Sequence, residues 1–209
     1  MLDFFQLFFS AVRPAISKNG PEGATQKGDT VVFKVGQEVV YPNHGVAIVE
    51  LIEAREIGGN KDEFYHLRLQ FNNSLVMVPT RNADEIGLRP PIANEQCQSL
   101  LKSLAQDFST PPTEWKNRFR EFSDRMRSGD VFMVAEVLKT LTYLNQTKPL
   151  SFREKRMLDR ARYLVISELA HAFGQPQASI ESKVDQALNG ACSKHGNSTG
   201  KLNGEARSH

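Results

Sequence analysis

The sequence predicts an α+β protein in two modules, a small β-barrel followed by a compact bundle of about five helices. Three observations lead there. Four short runs rich in β-branched and aromatic residues, Val39–Tyr41, Val46–Glu56, Glu63–Gln70 and Ser74–Pro79, alternate with turn signals. Pro90-Pro91 closes that stretch. Beyond it the apolar residues recur at helical spacing, as in Val131, Val134, Ala135, Leu138 and Leu141.

The β-region opens with Phe33-Lys34-Val35-Gly36-Gln37-Glu38-Val39-Val40-Tyr41-Pro42-Asn43-His44-Gly45, which reads as a strand entering a tight turn. Gly58-Gly59-Asn60 is expected to make a hairpin loop. Asn72-Asn73 is expected to make another, because Asn tolerates positive φ. Pro79 ends the last strand, since proline donates no ladder hydrogen bond. Short strands at this spacing suit an SH3-like or Tudor-like barrel.

In the helical region Asn94 is expected to cap a helix to about Gln106, and Thr113 one that stops at Gly129. Asp130 caps a third, which Lys148-Pro149 breaks. Ser151 with Glu154 three positions on forms a capping box, each side chain satisfying a free backbone N–H. Ser179 is expected to cap a last short helix to Leu188. There is no internal repeat, which argues against a solenoid. The resulting division is 1–31, a flexible extension; 32–92, the barrel; 93–188, the helices; and 189–209, a disordered tail rich in Gly, Ser, Asn and Lys.

Charge separates the modules. Net charge is only +2 over 209 residues, weak for a bulk nucleic-acid binder. Phe33 to Ile92 nevertheless carries six Lys/Arg against eight Asp/Glu, whereas Thr113 to Tyr163 carries twelve against seven. That asymmetry points to a different partner for each half, although solvated helix faces would look the same. Cys97 and Cys192 lie far apart and form no disulfide framework, which favours a reducing cytoplasm. The apolar Leu2–Phe9 segment lacks the positive n-region of a secretory signal. No apolar run approaches the ~20 residues that span a bilayer.

Catalytic signatures are missing. There is no His-x-x-x-His pair, no Cys-x-x-Cys, no Gly-x-Ser-x-Gly and no Gly-rich phosphate loop. His44, His66 and His171 are scattered over a turn, a strand and a helix end. The chain reads as a binding protein without cofactor or metal.

The barrel opening FKVGQEVVYPNHG, the PPTEW segment at 111–115, SGDVFMVAEVLKTL at 128–141 and SFREKRMLDRAR at 151–162 together resemble the CarD-like (CdnL) family of bacterial transcription regulators. The likeness covers about residues 33 to 188. The barrel also looks like the polymerase-interacting module of the transcription-repair coupling factor, but the Walker motif of that protein's motor is absent.

The resemblance implies a monomeric cytoplasmic protein, associated with the nucleoid through RNA polymerase, that stabilises the promoter open complex. Its barrel would dock on the polymerase β subunit through an exposed strand edge carrying Arg55, Glu56 and Ile57, with Met77 on the fourth strand. Some family members carry arginine where Met77 stands. The helical half would meet promoter DNA without reading sequence, Trp115 wedged toward the minor groove and Lys116, Arg118, Lys155, Arg156 and Arg160 on phosphates.

Periodicity alone reads Trp115 differently. It falls with Phe119, Phe122 and Met126 on one apolar stripe, where burial is the default. Its place in the first turn is what allows the exposed position that the resemblance implies. The alternative for the whole chain is an adaptor that recruits polymerase or another protein without touching DNA.

Overall fold

The computed structural model describes residues 32–57, 60–112 and 114–205, the side chains of 57, 60 and 197–205 excepted. The expected extension at 1–31 lies outside the described residues, as do Gly58, Gly59, Thr113 and 206–209.

Four antiparallel strands, β1 (Glu38–Tyr41), β2 (Gly45–Ile57), β3 (Asn60–Leu69) and β4 (Leu75–Pro79), form one curled sheet in sequential order. Each turn has a local cause. Asn43 and Asn73 both adopt positive φ, at 60° and 57°, which Asn tolerates better than other side-chain-bearing residues. The β2–β3 register shifts between Val49 and Leu51, leaving Glu50 as the extra residue. That shift keeps Val49 buried and turns Leu51 to the outer face. Inside the curl, Phe33, Val39, Val49, Tyr65, Leu67 and Val78 make a small core of their own.

A one-turn helix, α1 (Ala83–Ile86), leads to the bundle: α2 (Asn94–Leu104), α3 (Trp115–Arg127), α4 (Val131–Thr147), α5 (Phe152–Phe173) and α6 (Gln177–Glu205). Asp130 caps α4 as expected, accepting from Phe132 N at 2.8 Å. The Ser151–Glu154 capping box also forms. Two caps differ. Ala93, not Asn94, precedes α2, where Gln96 reaches back to its N–H; Glu114 precedes α3. The bundle core runs from Cys97 and Leu100 through Val137, Leu138 and Leu141 to Val165, Leu169, Ile180 and Leu188.

The expected disordered tail is corrected here. α6 begins at Gln177 rather than Ser179 and continues past Leu188 to Glu205. Leu188, Ala191, Cys192 and His195 continue the buried stripe begun by Ile180 and Val184. Phe108 stacks on the His195 ring at 4.2 Å, His195 Nδ1 lies 2.8 Å from Asp107 Oδ1, and Lys194 donates to Ala105 O. The second half of α6 thereby pins the loop between α2 and α3. Both cysteines are buried as free thiols, Cys97 Sγ donating to Ala93 O at 3.5 Å, and burial raises each thiol pKa.

The modules meet at the Pro42–Gly45 turn. Gly45 (φ +90°) lies so close to α5 that a Cβ would stand 3.1 Å from Tyr163 Cε1. At Gly129 (φ +77°) a Cβ would stand 3.0 Å from Pro42 Cγ. Beside this contact Arg89 makes a bidentate pair with the buried Glu168, at 2.6 and 2.9 Å, and donates to Gly129 O. His171 Nε2 lies 2.8 Å from Glu38 Oε2.

Candidate nucleic-acid interface and docking face

Trp115 opens α3 and is 49% exposed, although Phe122 and Met126 further along its stripe are buried. The reason is position: the first turn of α3 overhangs the bundle, and only the later turns reach its core. Lys116 beside it is exposed, as are Lys155 and Arg156 in the first turns of α5. Arg156 lies over the Phe152 ring at 5.7 Å, and Phe152 is itself largely exposed.

Arg118 does not join them. Its side chain is 3% exposed, and its Nη2 and Nε donate to Glu154 Oε1 at 2.6 and 3.2 Å. Nη1 donates to Pro112 O at 2.7 Å. Burial by itself would raise the Glu154 carboxyl, but hydrogen bonds from Arg118 and Ser151 outweigh it and hold the pKa below its ordinary value. A guanidinium so enclosed cannot reach a phosphate. Arg118 instead ties the start of α3 to the start of α5, which fixes where Trp115 and Lys155 stand.

Arg160 is part-buried at the junction of the modules. Its Nε donates to Asn43 O at 2.8 Å and its guanidinium lies over Phe71, 5.0 Å from the ring centroid. Burial and then the Arg160 charge lower the pKa of His44 in the adjoining turn. Between α3 and α5, ending at this junction, runs an open groove of about 720 Å³. Four arginines line it, Arg127, Arg153, Arg156 and Arg160, with no carboxylate among the lining residues. Arg127 and Arg153 were not expected from sequence as contact residues. The signal available was the spacing of Arg153, Arg156 and Arg160, which repeats on one helix face.

On the barrel, β4 pairs only with β3, and β2 beyond Glu50 likewise pairs only with β3 among the described residues. Both therefore offer free edges. Arg55 and Glu56 are exposed on the free part of β2, with Arg55 Nε donating to Glu53 Oε2 at 2.9 Å. Ile57 ends that strand; its side chain lies outside the described residues. Met77 is 39% exposed on β4.

The expected set is not one cluster. Met77 sits opposite His66, itself opposite Leu51, whereas Arg55 sits four residues further along β2. At strand rise and spacing that is ~13 Å along the sheet and ~10 Å across it. What surrounds Met77 is apolar: Leu51 and Leu75 are 47% and 46% exposed on the same outer face. Those two residues were missed, because the register shift that turns Leu51 outward is invisible in simple alternation.

Comparison with known proteins agrees with this two-module layout. Residues 33–92 match the CarD-like/TRCF RID domain family, which implies an interaction with RNA polymerase in general. Residues 99–185 match the family described as CarD, C-terminal domain. The chain is 31% identical over 151 residues to the candidate transcription factor YdeB of Bacillus subtilis (strain 168), an alignment covering 72% of this chain and 99% of that protein. A solution structure of the 72-residue N-terminal domain of Myxococcus xanthus CarD is 33% identical, over 34% of this chain and 93% of that domain, with a TM-score of 0.26. With both domains matched in order and nearly all of YdeB aligned, the chain belongs to the CarD-like family of transcription factors and is not an enzyme.

Proposed function

We propose that the barrel binds the RNA polymerase β subunit and that the helical module stabilises the promoter open complex by contacting DNA without reading its sequence. The observation that carries this reading is Trp115, half exposed at the start of α3 although Phe122 and Met126 on the same stripe are buried. A large aromatic kept in solvent beside Lys116, on a helix start that the Arg118–Glu154 pair ties to the start of α5 with its exposed Lys155 and Arg156, suits a wedge against a disrupted base step, with cations on the flanking phosphates. The free strand edges near Arg55 and Met77 suit docking by strand addition, with the apolar outer face around Leu51 adding contact area. The protein acts as a monomer in the cytoplasm, brought to the nucleoid by polymerase.

The test is the lifetime of an open complex formed by the cognate polymerase and challenged with a DNA competitor. The protein is expected to lengthen it, and Trp115→Ala to remove the effect while polymerase binding persists. An unchanged lifetime despite measured polymerase binding refutes the DNA-contact reading and leaves an adaptor.

A further inference from the structure

We propose that the arginine groove between α3 and α5 is a binding site for single-stranded DNA, the strand set free where Trp115 holds the fork. This rests on the functional reading above and extends it from duplex phosphates to an unpaired strand.

Shape is the first ground. The groove is open and concave, and its volume of about 720 Å³ falls in the range, about 300–1,000 Å³, of clefts that accept a ligand. The backbone of a duplex is convex and is met by protruding side chains. A groove between two helices admits a single chain.

The lining gives the second. Phe119 and Met157, both half-buried, stand among the four arginines, with the exposed Phe71 at the barrel end. Apolar rings and thioethers offer nothing to phosphates, and in a duplex the base faces are already stacked on one another. An unpaired base exposes its π-face, and aromatic platforms interleaved with cations are how proteins hold single strands without sequence preference.

Continuity and charge complete the argument. Trp115 and Phe119 are four residues apart on α3 and share a face, so a strand leaving Trp115 along α3 enters the groove. On α5, Arg153 to Arg160 spans ~10 Å, about three nucleotides at ~3.4 Å each along one strand. No ion pair satisfies Arg153, Arg156 or Arg160 among the described residues, and Arg127 has only Asp124, at 3.9 Å. Arg160 is held by Asn43 O and Phe71, so the barrel orients the groove's last cation before any ligand arrives. The site thus needs both modules.

Fluorescence anisotropy with the full-length protein tests this, using four labelled probes: a blunt duplex, the same duplex with a short unpaired oligothymidine arm, that duplex with an abasic arm, and free oligothymidine. The thymidine arm is expected to tighten binding roughly tenfold over the blunt duplex, and the abasic arm to lose most of that gain. Arg127→Ala with Arg153→Ala, both exposed positions, is expected to lower the salt dependence of arm binding by ~0.7 in log–log slope for each lost phosphate contact. Equal affinity for blunt and armed duplexes overturns the proposal. So does an abasic arm that binds as well as thymidine, which would make the groove a phosphate site only, or full displacement by inorganic pyrophosphate. Open-complex lifetime measured in parallel separates the two readings. A lengthened lifetime without arm dependence sinks the groove alone; arm dependence without a lengthened lifetime sinks the open-complex reading alone.

Discussion

Replacing Arg118 distinguishes a structural arginine from a DNA-binding one. In Arg118→Ala, Glu154 Oε1 loses its guanidinium partner in a place where its side chain is 9% exposed. Oε2 keeps Ser151 N and Oγ at 3.0 and 2.8 Å, so half of the carboxylate remains satisfied. Breaking one side of a buried ion pair costs about 3–5 kcal/mol, and the surviving Ser151 bonds place this case near ~3 kcal/mol. At roughly 2–4 °C per kcal/mol for a chain of this size, the melting midpoint should fall by about 6–12 °C. Thermal denaturation followed by circular dichroism at neutral pH reads this directly. Combining Arg118→Met with Glu154→Gln should recover more than half of the loss. Gln still reaches the Ser151 N–H, as capping boxes allow, and no charge is left buried. The reasoning fails if Arg118→Ala melts within about 1 °C of the parent while its DNA affinity drops.

Two further outcomes follow from the same contacts. Glu154 has a lowered pKa in the folded chain, so its contribution is fully present above 4.5 and is lost as pH falls through the lower folded value. Chemical denaturation between neutral and acid pH should show stability falling below about 4.5, and Glu154→Gln should flatten that part of the profile. Truncation after Leu188 removes the Lys194–Ala105 bond and the His195 stack on Phe108. Faster amide hydrogen exchange is expected in residues 105–110, with the barrel unaffected; unchanged exchange there would mean that the far half of α6 does not hold the loop.

Much of this architecture could be read from local chemistry. The four strands, the Asn73 turn, the Asp130 cap and the Ser151–Glu154 box depend on residues within a few positions of each other; the turn and caps appear where the sequence placed them, and the strands fall within three residues of their expected bounds, β3 starting at Asn60 instead of Glu63. Failures arose where the deciding partner is distant. Arg118 and Arg156 look alike in sequence; only Glu154, 36 residues away, buries the first. The end of α6 was hidden by composition. Gly190, Gly196 and the polar residues around them suggested a tail, while the apolar spacing from Ile180 to Cys192 carried the helix onward. Trp115 shows the reverse: its periodicity argued for burial, and the overhang of the first turn decided otherwise.

The Pro42–Gly45 turn gives the molecule the character of a caliper. One jaw is the free edge of the sheet and the other is the arginine groove; the turn is the pivot, packed on Gly129 and α5 and braced by the Arg89–Glu168 pair. These contacts set the opening between the jaws. On the proposed reading, a polymerase held in one jaw therefore dictates which stretch of upstream DNA falls in the other, and the register comes from distance alone, with no base needing to be recognised.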